Sequence, residues 1–273
     1  MKKFLLASVA SLGIAGTASA ADLAVRAPIV APVPFFSWTG CYIGGHVGYG
    51  KGQSSQNFQF DDVNRTFTGT EYYFTNNFDN KGGVYGGQAG CNYELGRFVF
   101  GLEGDWSAAN LKASYSFTDP APADNEGASF SSKVDSLASI RGRFGIAEDR
   151  VFLYATMGWG WAKFKYSHAL TDNDTAEGGP IRFGAGSVSS TADGIVLGAG
   201  VNYALTDWLI LRAEYLHYAF GKDFNLTPSF LVNPAFDTGP GFNDHVTLKN
   251  VDVIRIGADW KFNFWGAPAV ARY

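Results

Sequence analysis

The chain has 273 residues, a formal net charge of −4, 34 glycines, 16% aromatic residues and two cysteines. The negative charge argues against a nucleic-acid partner, because proteins that bind nucleic acids are typically basic. Abundant glycine and aromatic residues, with few helix signals, favour an all-β chain.

The N-terminus has the pattern of an export signal. Lys2 and Lys3 precede an apolar run, and residues 18–20 are small, as expected before a cleavage site. We therefore predict a cleaved signal peptide over residues 1–20. Residues 21–37 hold three of the ten prolines, which indicates an extended periplasmic linker ahead of a domain over residues 38–273.

Eight later segments alternate apolar residues with polar or small ones. No segment after the signal approaches the ~18–20 consecutive apolar residues that a membrane-spanning helix needs. A period of two is instead the pattern of a strand with two different faces. Each segment reaches the ~9–11 residues that a tilted membrane strand needs. In chain order they begin near Trp38, Gly82, Arg97, Ser132, Val151, Gly194, Trp208 and Val251.

The connections between these segments alternate in length. Three are tight turns, at residues 95–97, 147–150 and 205–207. The other four are long and polar, over about 52–80, 116–132, 168–190 and 222–247. Short periplasmic turns and long outer loops are typical of outer-membrane barrels. We therefore predict an all-β fold: an eight-stranded antiparallel up-and-down transmembrane β-barrel with four long extracellular loops.

The fourth segment raises the question of which face points outward. Arg141 and Arg143 lie on one face, and Ile140, Phe144 and Ile146 lie on the other. In a membrane barrel the apolar face meets lipid and the charged face lines the lumen. The alternative is a soluble barrel with these charges outside. The export signal and the unequal loops favour the membrane barrel.

The predicted lumen face carries charges that nearly cancel. It holds six acidic and six basic side chains: Glu94, Glu103, Asp105, Asp135, Glu214 and Asp259, with Lys133, Arg141, Arg143, Arg212, Arg255 and Lys261. Eight strands leave an interior that side chains fill, and an unpaired buried charge is strongly destabilising. We therefore predict a lumen ion-pair network of Glu103, Asp105, Arg141, Arg143, Arg212, Glu214, Arg255 and Asp259.

Aromatic residues and cysteines have positions that a barrel explains. Aromatic rings gather at the two membrane interfaces, and the predicted girdle comprises Trp38, Tyr93, Phe98, Trp159, Trp161, Trp208, Phe262 and Phe264. Cys41 starts the first segment and Cys91 lies near the end of the second, so antiparallel pairing brings them to one end. A cross-strand disulfide forms there if the register is right; two free thiols are the alternative.

Five stretches resemble one protein family in order. They are FSWTGCYIGGHVGYG, GGVYGGQAGCNYELGRFVFGLEGDW, IRGRFG, GAGVNYALTDWLILRAEYLHYAFG and VIRIGADWKFNF. The family is the Gram-negative outer-membrane β-barrel family described as outer-membrane immunogenic or porin-family proteins. The resemblance implies an eight-stranded barrel related to the OmpA-type membrane domain. It also implies insertion by the outer-membrane assembly machinery, which reads a final aromatic-ended strand; here Phe264 and Tyr273 both qualify.

Four functions compete. The first is a structural, surface-exposed barrel with a plugged lumen, which the balanced charges favour. The second is a narrow porin, because Gly44, Gly86, Gly158 and Gly198 leave space on the lumen face. The third is loop-mediated binding of a host or environmental ligand. The fourth, an enzyme, is disfavoured because His46 has no predicted serine nucleophile beside it. We expect no cofactor and no metal, and outer-membrane lipid as the partner.

Overall fold

The eight predicted segments form a closed β-barrel in a computed structural model of the protein. The structure describes residues 36–61, 72–118, 127–172, 182–226, 229–231 and 241–262. The predicted signal peptide and residues 21–35 of the predicted linker lie outside these ranges. Within the described residues, no helix is long and apolar enough to cross a membrane.

Eight long strands make the barrel wall. They are β1 (Gly40–Asp61), β2 (Tyr72–Leu95), β3 (Phe98–Thr118), β4 (Gly127–Glu148), β5 (Val151–Asp172), β6 (Arg182–Ala204), β7 (Leu209–Leu226) and β9 (Gly241–Phe262). A further strand of three residues, β8 (Ser229–Leu231), pairs with residues 183–185 of β6 in the same sheet. All neighbours are antiparallel, and the β1–β9 and β5–β6 pairings close the ring. The predicted eight-stranded up-and-down fold is confirmed.

The three predicted tight turns lie at one end of the barrel. Gly96 has φ +66°, a left-handed conformation that glycine adopts without strain, and Asp149 has φ +47° in the next turn. Neighbouring turns are hydrogen-bonded to each other: Ala147 donates to the Arg97 carbonyl at 2.8 Å, and Ala204 donates to the Arg150 carbonyl at 2.8 Å. These turns fix the register that separates the two faces of each strand.

The strands extend much further than predicted. They contain 18 to 24 residues, so most of the polar segments predicted as long loops are strand. For example, β1 continues to Asp61 and β2 already begins at Tyr72. The prediction depended on an apolar face, and a strand that has left the membrane no longer needs one. Its backbone pairs with its neighbours regardless of which side chains it carries.

The two faces of the wall are inverted relative to a soluble protein. On the outside, Leu102 is 69% exposed and Ile140 is 62% exposed, whereas Arg141 is fully buried inside the ring. Trp106, Trp159 and Ile256 also point outward. This excludes the soluble-barrel alternative, because an apolar surface of this extent needs lipid to cover it.

A register shift in β4 corrects two predicted lumen residues. The pairing with β5 shifts between Val134 and Ser136, which leaves Asp135 as an extra residue in the strand. An extra residue reverses the alternation of faces beyond it. Asp135 and Lys133 therefore lie on the outer surface, where Lys133 and Lys165 contact Asp135 at 2.6 and 2.7 Å.

A disulfide joins the first two strands. Cys41 and Cys91 are direct partners in the β1–β2 register and are bonded to each other across 50 residues of sequence. Both residues lie on the outward face near the short-turn end of the barrel. The bond therefore fixes the register of this strand pair where β1 begins.

We predict that denatured, unreduced protein exposes no titratable thiol and that reduction exposes two. Replacing both residues (C41S/C91S) should lower the free energy of unfolding by about 2–4 kcal/mol, because a cross-link restricts the unfolded chain. Urea unfolding from lipid vesicles measures this change, and the single variant C41S provides a control with one free thiol. Two thiols in the unreduced wild-type protein would contradict the assignment.

Candidate functional site in the barrel lumen

Eight buried ionic side chains from four strands meet in the lumen. β3 supplies Glu103 and Asp105, β4 supplies Arg141 and Arg143, β7 supplies Arg212 and Glu214, and β9 supplies Arg255 and Asp259. Each is at most 7% exposed. Four carboxylates thus face four guanidiniums, so the layer as a whole is neutral. These are the residues for which the sequence predicts an ion-pair network.

Glu103 is the centre of one half of this layer. Arg141 donates to its Oε1 at 2.6 Å, and Arg212 donates to its Oε2 at 2.8 Å. Glu103 and Arg141 are direct cross-strand partners, whereas Arg212 comes from β7. Tyr42 also donates its hydroxyl to Oε2, at 2.5 Å. A single carboxylate therefore ties together three separate parts of the barrel wall.

Asp105 and Glu214 form the other half of the layer. Arg255 contacts Asp105 at 2.8 Å and Glu214 at 2.6 Å. Arg141 reaches Glu214 at 2.9 Å, so it joins this half to Glu103. Arg212 likewise joins Glu103 to Asp259, at 2.8 Å. Because each of these bonds is charge-assisted, the result is a continuous ionic layer across the lumen.

Aromatic rings complete the layer on the side of the short turns. The Arg143 guanidinium lies 3.8 Å from the centre of the Tyr154 ring and donates to the Tyr42 hydroxyl at 2.5 Å. A cation over an aromatic face is attracted by the ring. Alternation on β1 and β5 places both tyrosines on the lumen face, but the predicted ion-pair network does not include them.

His46 has a serine beside it, which corrects the prediction. Its Nε2 lies 2.8 Å from the Ser107 hydroxyl, and its Nδ1 lies 2.5 Å from the Gln88 amide oxygen. Gln88 in turn donates to Asp259 at 2.6 Å. His46 and Ser107 are both buried, and the partner of the histidine is an amide instead of the carboxylate of a catalytic triad. The group extends the ionic layer.

The outer half of the lumen is largely apolar, although it also holds the buried polar residues Ser54, Asn80 and Ser132. Its buried apolar side chains form one cluster: Phe78, Val84, Ala109, Leu111, Phe130, Val134, Leu137, Ala162, Phe164, Tyr166, Ala192, Val196, Leu216, Tyr218, Phe224, Val246, Leu248, Val251 and Val253. Alternation placed Tyr218 on this face but not the rest of the cluster. Val196 lies between the exposed Ile195 and Leu197, so both faces of β6 are apolar there. Further out the outer face becomes polar, and alternation again does not identify the lumen side.

The lumen glycines do not leave the space that was predicted. A Cβ atom at Gly86 would overlap the Trp106 carbonyl oxygen, and one at Gly198 would overlap the Tyr215 carbonyl oxygen. The same holds for Gly158 against the carbonyl of Ile140 and for Gly44 against Asp259. Glycine at such positions lets neighbouring strands curve towards each other. These glycines therefore allow close approach of neighbouring strands.

The short-turn end is closed by a third layer. Phe36 and Trp38 precede β1 and lie inside the ring with six other buried residues, Val99, Ala147, Phe152, Tyr154, Ala204 and Ile210. Trp38 is 1% exposed. Its indole donates to the Asp149 carbonyl at 3.1 Å, and its backbone nitrogen donates to Glu94 at 2.9 Å. Lys261 donates to the Ser37 carbonyl.

Trp38 therefore does not belong to the aromatic girdle, which corrects the prediction. It lies before the strand begins, so strand alternation does not govern its direction. Tyr93, Phe98, Trp159, Trp161 and Trp208 are exposed on the outer surface, and Phe262 is partly exposed. Phe264 lies outside the described residues.

A cavity of about 640 Å³ lies at the outer ends of β3 to β6. Its lining includes Ser114, Ser131, Phe130, Ser167 and His168. None of the eight residues of the ionic layer lines this cavity, and many of its lining residues are serines.

Comparison with known proteins agrees with this architecture. A family model described as outer membrane protein beta-barrel domain matches residues 7–262. The chain is 32% identical over 271 residues to the 31 kDa outer-membrane immunogenic protein of Brucella melitensis biotype 1, covering 96% of this chain and 100% of that protein. It is 28% identical over 267 residues to the 25 kDa outer-membrane immunogenic protein of Brucella abortus biovar 1, covering 96% and 99%.

Among solved structures, the outer membrane protein OprG from Pseudomonas aeruginosa aligns with a TM-score of 0.44 and 14% identity, over 82% of this chain and 97% of that chain. The family match extends over nearly the whole barrel, and the immunogenic proteins align over almost their full length. The chain therefore belongs to the outer membrane β-barrel family and is an outer-membrane protein of the immunogenic type.

Proposed function

We propose that this protein is a structural, surface-exposed barrel with a closed lumen, and not a porin. The observation that carries the proposal is the ionic layer, in which Glu103 contacts arginines from both β4 and β7. These side chains occupy the centre of the ring where a solute would have to pass. An eight-stranded barrel has little space besides that which its own side chains fill.

Two further layers support the proposal. Phe36 and Trp38 lie on the side of the short turns, and the apolar cluster lies on the outer side of the ions. Leu111, Leu216 and Leu248 in that cluster are fully buried. The polar side chains at this level, Ser54, Asn80 and Ser132, are hydrogen-bonded to one another. A hydrated ion would have to lose most of its water shell among the apolar side chains, which is strongly unfavourable. A solute therefore meets an obstacle of a different chemistry at each level.

The contacts of the lumen glycines argue against the porin alternative. It depended on free volume above the lumen glycines, and neighbouring backbone occupies that volume at Gly86 and Gly198. A conducting state would require the ion pairs to separate. Leaving either partner of a buried pair alone typically costs about 3–5 kcal/mol.

The outer ends of the strands are the surface-exposed part in this proposal. β1 continues 12 residues beyond Tyr49, and β2 begins 13 residues before Tyr85. Such extensions carry polar residues out of the membrane. The relatives named immunogenic proteins are consistent with exposure at the cell surface. Insertion by the assembly machinery remains our expectation; the candidate signal residues Phe264 and Tyr273 lie outside the described residues.

We predict no steady single-channel conductance for the wild-type barrel in planar bilayers. The same closure is testable chemically, because both native cysteines are bonded to each other and an introduced cysteine is then the free thiol. In S107C, the thiol lies in the ionic layer and should not react with a charged methanethiosulfonate reagent. In the control S189C, the thiol lies on the outer surface and should react fully.

Folding of each variant is verified by its altered gel migration before and after boiling. Steady conductance of the folded wild-type protein, together with labelling of S107C as fast as S189C, would overturn the closed-lumen proposal in favour of a porin.

We predict that E103Q lowers the free energy of unfolding by about 3–5 kcal/mol, because one arginine is left buried without a compensating charge. Adding R212Q restores neutrality, so the double variant should be more stable than the sum of the single effects implies. The expected coupling is about 0.5–3 kcal/mol. Urea unfolding from lipid vesicles measures all three variants.

E148Q is the matched control for this cycle. Glu148 lies 3.8 Å from Arg97 with its side chain 86% exposed, so its loss should change stability by less than about 0.5 kcal/mol. If E103Q proves as mild as E148Q, the ionic layer does not stabilise the barrel.

A further inference from the structure

Five lysines form a row on the outer surface of the barrel. In the strand registers Lys51 is opposite Lys81, Lys81 is opposite Lys112, Lys112 is opposite Lys133, and Lys133 is opposite Lys165. The row therefore crosses β1 to β5 with a lysine on every strand. Lys163 lies on the same surface, next to the row. We call these six residues the lysine surface.

Such a row is unfavourable unless anions accompany it. Like charges directly opposite each other on neighbouring strands are destabilising. Asp79 contacts Lys51 at 3.0 Å and Lys81 at 3.7 Å, and Asp135 contacts Lys133 and Lys165. Lys112 and Lys163 have no ion-pair partner among the described residues. Two carboxylates thus form the ion pairs of six lysines, and a third, Asp252 on β9, lies opposite Lys51 in the register. An excess of positive charge remains on β1 to β5.

The other three wall strands lack this excess. At this level β6, β7 and β9 carry Asp193, Asp223 and Asp252 with Lys222 and Lys249. Asp193 contacts Lys222 at 3.7 Å, and Asp252 contacts His217 at 2.7 Å. The excess of positive charge therefore lies on β1 to β5.

The lysine surface begins where the lipid-facing band ends. Lys51 follows the exposed Tyr49 by two residues, and Lys163 follows the exposed Trp161 by two residues. On β3, Phe98 to Trp106 spans nine residues, which matches the ~9–11 residues of a tilted membrane strand. Lys112 lies six residues further out. This is the level at which lipid headgroups meet the barrel.

Exposed hydroxyl groups form a second row directly beyond the lysines. Ser114 is opposite Ser131, Ser131 is opposite Ser167, and Ser167 is opposite Ser187. All four are exposed, and all four line the cavity of about 640 Å³. Each of Ser114, Ser131 and Ser167 lies two positions from a lysine on its own strand. Cations near the membrane are thus followed by hydrogen-bonding groups further out.

We propose that this side of the barrel binds a phosphorylated glycolipid of the adjoining leaflet. The phosphates contact the lysine surface, the hydroxylated headgroup contacts the serine row, and the acyl chains lie along the apolar band below. A lysine near an anionic membrane surface favours association by about 1 kcal/mol. A free anion would satisfy the lysines alone, whereas a lipid also uses the adjacent apolar band and the hydroxyl row.

The experiment measures lipid binding to the folded, detergent-solubilised full chain. The probe is lipid A, a diglucosamine lipid with two phosphates, and binding is followed by native mass spectrometry at increasing lipid concentration. Parallel titrations use the same lipid without its phosphates, and pyrophosphate as a free anion. We expect clear binding of lipid A and at least tenfold weaker binding of both comparison probes.

Matched double variants identify the surface. K81Q/K112Q removes two charges from the lysine surface, and the control K222Q/K249Q removes two from β7 and β9, outside that surface. We expect about a 30-fold increase in the Kd for lipid A in K81Q/K112Q, as the loss of two such lysines implies, and less than a threefold change in the control. The single variant K112Q, which breaks no ion pair among the described residues, should give about a fivefold increase.

Gel migration before and after boiling establishes that every variant is folded. Equal loss of binding in both double variants would overturn the proposal, because the effect would then be one of net charge. Equal binding of dephosphorylated lipid would overturn the role of the phosphates. Equal binding of pyrophosphate and lipid A would replace the lipid with a soluble anion and overturn it as well.

Discussion

The pairing of four arginines with four carboxylates in the centre of the ring is the constraint on which this barrel depends. A ring of eight strands must be filled, and here the filling is ionic at the level of the membrane. Arg141 and Arg212 each contact two carboxylates from different strands. Buried charges are tolerated only when they are fully paired. The arrangement therefore links the filling of the lumen to the strand register of the wall, because each pair joins side chains from different strands.

The three lumen layers differ in how readily they are recognised from the sequence. The ionic layer lies where the outer surface is most regular, so charged residues alternate with apolar ones and are easily recognised. The apolar outer layer begins within the lipid-facing band, where Val196 lies between the exposed Ile195 and Leu197, and continues beyond it, where the outer face is polar. The layer containing Trp38 precedes the first strand. Only the first layer is visible from a period of two, although all three obey the same requirement to fill the interior.

The fold class, the strand order and the lumen side of most charges were predictable because lipid enforces alternation on both faces of each strand. Asp135 was assigned to the wrong side because one extra residue in β4 reverses the faces, and neither Val134 nor Ser136 signals it. The free space predicted at Gly86 is also absent. Glycine on the lumen face is compatible with empty space or with a close neighbouring strand, and only the curvature of the wall distinguishes the two. The contacts of Tyr42 and Tyr154 with the ion pairs were not predictable, because they depend on neighbours from other strands.

The bond between Cys41 and Cys91 has a consequence for the order of assembly. Both cysteines belong to the first third of the chain, so they reach an oxidising compartment well ahead of β9. Once oxidised, the first two strands are a covalent ribbon whose alignment can no longer slip. The last strand must then join a partner edge, β1, that is already held in position. The seam of the cylinder would accordingly close by addition to a fixed template, and a reducing environment would remove that template before closure.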